Sequence, residues 1–291
     1  MRYEGNIFRP PSEANSLLIQ ATIGCPHNKC AFCAMYKGIK FRQRDVDEIK
    51  EDIDMAKDYY GAKYVRTMFF PDANTIIMKT EKLVEIFEHA RKTFPYLKRI
   101  TVYGGAKFVV RKSVEELKRI KDAGLRRIHM GMESGDEVVL ERVKKGVTPE
   151  RIIEAGQKIV EAGIELSEYY MVGLGGTDRL EQHPVESARV LNAINPTFIR
   201  LRTTIPIPGT ELHEEFERGI WKLPSPHQSL REIKALVENL NCASVLVSDH
   251  NSNYWDISGK LPDEKQSMLD EIDRALSVDE SRFRSYDSVS L

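Results

Sequence analysis

Between residues 16 and 205, short apolar runs of strand length take turns with longer segments in which apolar residues recur every three or four positions. The runs 16–23, 64–70, 99–103, 127–132, 165–172 and 198–205 are rich in β-branched, aromatic and aliphatic residues and read as strands. The segments 46–59, 79–93, 113–123, 137–144, 149–162 and 180–193 each carry an apolar stripe and read as amphipathic helices. Punctuation agrees with the periodicity. Gly124 and Gly163 stand where helices should stop, and Thr148-Pro149 opens a helix in N-cap then N1 order. Strands that alternate with helices pair in parallel, the helices serving as crossovers. The six repeats predict an α/β fold, a partial (β/α)6 TIM-like barrel.

Beyond residue 210 the rhythm changes. A helix over 229–240, a short strand over 244–247 and a helix over 260–276 predict a C-terminal helical and strand extension packed on the barrel. The expected organisation is a lead-in over 1–15, the barrel core over 16–210, the extension over 211–276 and a polar, mobile tail over 277–291.

At 291 residues and 41% hydrophobic content the chain can bury a substantial core. Its net charge of −1 gives no electrostatic footprint for nucleic acid, and Arg126-Arg127 and Lys144-Lys145 read as solvated surface. The opening residues lack the charged-then-apolar layout of a signal peptide, and no apolar run reaches eighteen residues. A cytoplasmic protein with no membrane partner is expected. That reducing setting disfavours a disulfide among closely spaced cysteines.

Chemistry in a βα barrel gathers where strands end and βα loops begin. After the first predicted strand comes Cys25-Pro26-His27-Asn28-Lys29-Cys30-Ala31-Phe32-Cys33, three thiols from one short loop. Thiolate-rich sites take zinc, copper(I) or iron-sulfur clusters, and closed sites want four ligands. The other cysteine, Cys242, lies far downstream with no second cysteine beside it, and His27 is the local candidate for a Cys3His zinc site. An iron-sulfur cube held by the triad would keep one iron open.

The spacing C-x4-C-x2-C, with Phe32 just before the last cysteine, resembles the cluster loop of radical S-adenosylmethionine (SAM) enzymes, one residue longer than the C-x3-C-x2-C of most members. Gly131-Met132-Glu133-Ser134-Gly135, after the fourth predicted strand, resembles a segment of the families related to oxygen-independent coproporphyrinogen oxidases, a group that includes the elongator- and MiaB-type enzymes. The resemblance implies the partial barrel, a 4Fe-4S cluster on Cys25, Cys30 and Cys33, and SAM chelated to the open iron. It implies reductive cleavage to a 5'-deoxyadenosyl radical that removes a hydrogen atom from substrate, with Phe32 near the adenine. It also implies oxygen sensitivity and an electron donor such as flavodoxin or ferredoxin.

Other strand ends supply further candidates, each with a plainer reading beside it. Asp72 and Asn74 either accept hydrogen bonds from the SAM ammonium or make an Asx turn. Glu133 and Ser134 either meet SAM, or Ser134 caps the next helix. Gly173 and Gly175 line the SAM pocket by resemblance, or serve a tight βα turn. Arg200, Arg202 and Thr204 share one side of the sixth strand, and an inward Arg202 should meet a carboxylate of SAM, substrate or protein. His250 and Asn253, in a polar loop, are candidates for substrate contact or proton transfer, and His183 is a weaker one.

The expected substrate is a small or medium-sized molecule, with carboxylates favoured by Arg200 and Arg202. One spare cysteine supplies no auxiliary cluster, and neither a cobalamin-domain-length segment nor a basic RNA-binding module is visible. The rival readings are a radical-SAM modifier of tRNA or a peptide, and a non-catalytic iron-sulfur or zinc protein.

Overall fold

The computed structural model describes residues 1–286; the end of the expected tail, 287–291, lies outside the described residues. Its elements are β1 Leu17–Leu18, β2 Thr22–Ile23, β3 Arg42–Gln43, α1 Val46–Tyr60, β4 Thr67–Phe70, α2 Thr80–Thr93, β5 Arg99–Tyr103, α3 Ala106–Val109, α4 Val114–Ala123 and β6 Leu125–Glu133. These are followed by α5 Glu137–Arg142, α6 Pro149–Glu161, β7 Glu165–Val172, α7 Gln182–Ile194, β8 Phe198–Thr203, α8 Glu211–Glu217, α9 Pro226–Asn239, β9 Val245–Val247, β10 Gly259–Lys260 and α10 Lys265–Leu276. Eight strands pair in the order β1-β4-β5-β6-β7-β8-β9-β10, and the register is parallel from β1 to β6 and from β7 to β9. At the far edge β10 returns antiparallel to β9. The predicted α/β alternation is what the chain builds.

Two compact units share these elements. The first comprises residues 1–28, 36–130 and 155–166. Here α1, α2 and α4 lay their apolar stripes together, burying Ile49, Ile53, Leu83, Ile86, Phe87, Leu117 and Ile120. A capping box of Ser113 and Glu116 opens α4, worth about 1 kcal/mol for the cap, and Gly124 closes it at φ +136°. The expected strand over 16–23 is two pieces. After Leu18 the chain leaves the sheet, and Thr22–Ile23 pair antiparallel with Arg42–Gln43 while the Arg44 N–H reaches the Ala21 carbonyl. This small ribbon closes the base of the long cysteine-bearing loop.

The second unit comprises residues 29–35, 131–154 and 167–291. There α9 packs on both α7 and α10, and a second capping box, Ser225 with Gln228, opens α9. A core of Ala31, Val139, Val143, Leu174, Leu212 and Trp221 takes Phe32 and Met171 against its edge. Residues after α10 make contacts of their own: Glu280 accepts from the Ser225 hydroxyl and the His227 N–H, and Arg284 donates to the Asn253 carbonyl. No helix among the described residues is long and apolar enough to cross a membrane.

Candidate cluster and substrate site

In the first unit, Gly24 at φ +78° turns the chain out of β2 into Cys25. The Asn28 N–H donates to Cys25 Sγ at 3.3 Å, and Asn74 Nδ2 approaches the same sulfur at 4.0 Å. Asn28 Nδ2 ties the turn to the Tyr36 carbonyl at 2.7 Å. Asn74 Oδ1 is already engaged, accepting the Gly105 N–H at 2.5 Å, and it does not cap the 3-10 turn that follows. Gly105 is required there, since a Cβ would stand 2.8 Å from that oxygen. Asp72 sits at φ +72°, 1% exposed, and accepts from Gln20 Nε2 at 2.7 Å. Burial pushes its carboxyl up to about 6 against the hydrogen bonds of Gln20 and Tyr36. Burial, then Asp72, pushes the Tyr36 phenol up in turn.

In the second unit the tetrapeptide Cys30–Cys33 is pinned on both sides. The Ala31 N–H donates to the Val143 carbonyl and the Leu212 N–H donates to the Ala31 carbonyl, each at 2.9 Å. Beside it, Lys145 Nζ donates to Glu133 Oε1 at 2.9 Å and lies 6.0 Å from the Phe32 ring centroid. The doublet expected as solvated surface therefore splits. Lys144 is exposed and pairs with Glu211, whereas the Lys145 side chain is 16% exposed. Arg127 departs from the same expectation, its buried guanidinium pairing with Glu165 at 2.7 Å.

Ser134 spends its hydroxyl locally. Its Oγ accepts the Asp136 N–H at 3.0 Å, and Asp136, not Ser134, caps α5 through the Val138 N–H. The Gly135 N–H donates to Ser187 Oγ at 2.8 Å. In the glycine turn after β7, Gly173 at φ +79° donates its N–H to Glu232 Oε1 at 2.9 Å. A Cβ on Gly175 would stand 2.8 Å from the Arg179 Cβ. Glu232 Oε1 also accepts from the Tyr170 hydroxyl at 2.6 Å and faces His183 Nδ1 at 3.0 Å.

On β8, Arg200 Nε donates to Ser167 Oγ at 3.1 Å and its Nη1 lies 3.5 Å from Asp249. The Arg202 guanidinium stands 4.9 Å over the Tyr169 ring. Burial pushes the Tyr169 phenol up to about 12 although both arginines oppose it. His250 is lowered to about 4, by burial first and Arg202 second, and its Nδ1 accepts the Ser252 N–H at 3.1 Å. The neutral ring therefore carries its proton on Nε2. Asn253 is committed to structure: Oδ1 accepts from Thr203 N–H at 2.9 Å, and Nδ2 donates to the Leu201 and Ser248 carbonyls.

Two acids escaped the sequence reading. Glu232 sits on a helix face that periodicity alone marks as apolar. Glu168 is fully buried in β7; burial, then Glu133, pushes its carboxyl well above the usual range, against Lys145 and the Met132 backbone, and neither oxygen makes a well-formed hydrogen bond among the described residues. An acid in the middle of a largely apolar strand run was the available signal.

The donor set fits an iron-sulfur group. None of the three loop cysteines is in a disulfide, each is partly accessible, and Cys25 already receives N–H donors of the kind that stabilise cluster sulfurs. Cys242 is buried, and burial raises its thiol. Among the described residues no three His, Cys, Asp or Glu side chains converge as on one ion. A cube asks for less convergence, since each thiolate takes its own iron.

The radical SAM superfamily model matches residues 19–183, more than half of the chain. The chain belongs to the radical SAM superfamily. An uncharacterised methyltransferase of Pyrococcus horikoshii is 22% identical over 68% of this chain and 41% of its own length. The tRNA uridine(34) acetyltransferase of Methanocaldococcus jannaschii is 25% identical over 69% of this chain and 34% of its own. The chain thus spans well under half the length of these curated relatives. Escherichia coli coproporphyrinogen III oxidase, described as a radical SAM enzyme, superposes with a TM-score of 0.58 at 17% identity, over 77% of this chain and 51% of that one. That likeness shows the fold, a radical SAM partial barrel. The protein is an enzyme of this superfamily, whose cofactors are a 4Fe-4S cluster and SAM.

Proposed function

We propose that this enzyme holds its cluster on Cys25, Cys30 and Cys33, cleaves SAM reductively and takes a hydrogen atom from a small or medium-sized, carboxylate-bearing substrate. When bound and reduced, the cluster supplies the electron that breaks the SAM sulfonium. The rest of the work belongs to residues of this chain. Phe32, packed on the second unit's core, offers a fixed face for the adenine. Asp72, Asn74, Glu133 and Ser134 are the polar groups assigned to SAM, and Gly173 and Gly175 let backbone approach the ligand.

The observation that carries the substrate class is the charge balance on β8. Arg200 Nη1 lies 3.5 Å from the Asp249 carboxylate, whereas the Arg202 guanidinium stands 4.9 Å over the Tyr169 ring and makes no ion pair among the described residues. A partly buried cation left without an anion is costly, and an incoming carboxylate would relieve that cost. The Nε2–H of neutral His250 adds a donor beside it. An external electron donor and a cytoplasmic setting complete the reading.

The test is anoxic reconstitution with iron and sulfide, dithionite reduction and addition of SAM. Release of 5'-deoxyadenosine supports the proposal, and deuterium transfer into it from labelled carboxylic acids identifies substrate. An intact cluster without SAM cleavage would refute the catalytic reading.

A further inference from the structure

Three local features hold Lys145 and Glu133 together. Glu133 occupies the left-handed region at φ +64°, a conformation that costs a non-glycine residue about 1 kcal/mol or more. Gly131, two residues earlier, leaves the room for the pair: a Cβ there would stand 2.1 Å from Glu133 Oε1 and 3.2 Å from Lys145 Nζ. Lys144, at φ +54°, ends α5 so that the Lys145 N–H reaches back to the Leu140 carbonyl and the side chain departs from the exposed course of its neighbour. The Lys145 ammonium, bonded to Glu133 at 2.9 Å, lies 6.0 Å from the ring of Phe32, the residue next to Cys33 in the Cys30–Cys33 tetrapeptide. The pair is mostly buried, at 16% and 15% side-chain exposure, where water screens little.

We infer that Lys145, oriented by Glu133, is a positioning charge that sets the reduction potential of the cluster. Reduction adds one electron to the cluster, and a cation fixed beside the tetrapeptide that carries two of its three thiolates stabilises the reduced form more than the oxidised form. Glu133 works in the opposite direction, since it both anchors the ammonium and offsets part of its charge. The inference rests on the cluster reading above. A role confined to stapling the end of β6 to the turn after α5 would couple the pair to stability and leave the potential alone.

The measurement is an EPR-monitored redox titration of the reconstituted protein without SAM. Lys145→Met is expected to move the midpoint to more negative values, with at least a threefold shift of the oxidised-to-reduced equilibrium against 59 mV per tenfold for one electron. Lys145→Arg should stay close to the parent protein, and Glu133→Gln should move the midpoint the other way. Opposite signs for Lys145→Met and Glu133→Gln support the inference. Unchanged midpoints, or shifts of the same sign, overturn it. If Lys145→Met does not take up a cluster, Glu133→Gln decides alone: a less negative midpoint supports the inference and any other result sinks it. A parent protein without a cubane signal overturns the cluster reading itself, an outcome distinct from a cubane whose potential ignores both substitutions.

Discussion

Asn253 separates a substrate residue from a clamp, and its truncation has a size that the contacts set. Its amide accepts from the Thr203 N–H at 2.9 Å and the Thr203 hydroxyl at 3.2 Å, and its two N–H bonds serve the Leu201 carbonyl at 2.9 Å and the Ser248 carbonyl at 3.1 Å. Thr203 N–H keeps a second acceptor in Ser252 Oγ at 3.1 Å, so Asn253→Ala chiefly orphans the two carbonyls. At about 1–3 kcal/mol for each buried group left unsatisfied, the loss is about 3 kcal/mol. For a protein of this size that lowers Tm by roughly 6–12 °C. Asn253→Asp should cost at least as much, because it presents acceptors to two carbonyls. Anoxic thermal unfolding followed by circular dichroism reads the effect. If both variants melt within about 2 °C of the parent while 5'-deoxyadenosine formation collapses, the clamp argument is wrong and Asn253 touches ligand.

Other outcomes follow from the same geometry. Alanine at Cys25, Cys30 or Cys33 should abolish the cluster's visible absorption and all SAM cleavage, whereas Cys242→Ala should leave both intact; retained cleavage in any triad variant would refute the assignment. Asp72, raised to about 6, keeps its proton in the fold while an unfolded aspartate has lost it, so stability should fall as pH rises between about 4 and 6 and stay lower above. Asp72→Asn should flatten that slope and gain about 2 kcal/mol at pH 7 relative to the parent, checked by urea midpoints at pH 4.5 and 7. Gly135→Ala places a Cβ 2.6 Å from the Glu186 carbonyl oxygen and the Ser187 Cα, both backbone, and should cost about 3 kcal/mol or prevent folding; a parent-like urea midpoint would contradict this.

The strand and helix alternation was legible because burial on a parallel sheet leaves long apolar runs and helical stripes that local sequence carries directly. The cysteine loop was legible because ligand chemistry needs those atoms in close sequence. What escaped was set by partners distant in sequence. Nothing in Leu17-Leu18-Ile19-Gln20-Ala21-Thr22-Ile23 marks a break, yet pairing with Arg42–Gln43 takes its second half out of the sheet. Lys144-Lys145 looks like any surface doublet until Glu133, twelve residues away, claims one member. Glu232 sits within an amphipathic helix whose buried face happens to meet the Tyr170 hydroxyl and the Gly173 N–H, a tertiary fact without a local signature.

The segment Gly131 to Gly135 shows how a motif can be read for its ligands and miss its scaffolding. Gly131 has no side chain because Glu133 Oε1 would lie 2.1 Å from it, and Gly135 has none because the α7 backbone stands at 2.6 Å. Ser134 is spent on the Asp136 N–H. Of these residues only Glu133 sends its functional group toward another ionised side chain, and that partner is Lys145. Gly131→Ala therefore acts on charge placement before it acts on packing: it should drive the carboxylate off Lys145, which the flexible end of a glutamate allows, and leave the fold near parent stability. The cluster potential of that variant should then move in the direction of Glu133→Gln, and a shift toward Lys145→Met would count against the inference, as it would for Glu133→Gln.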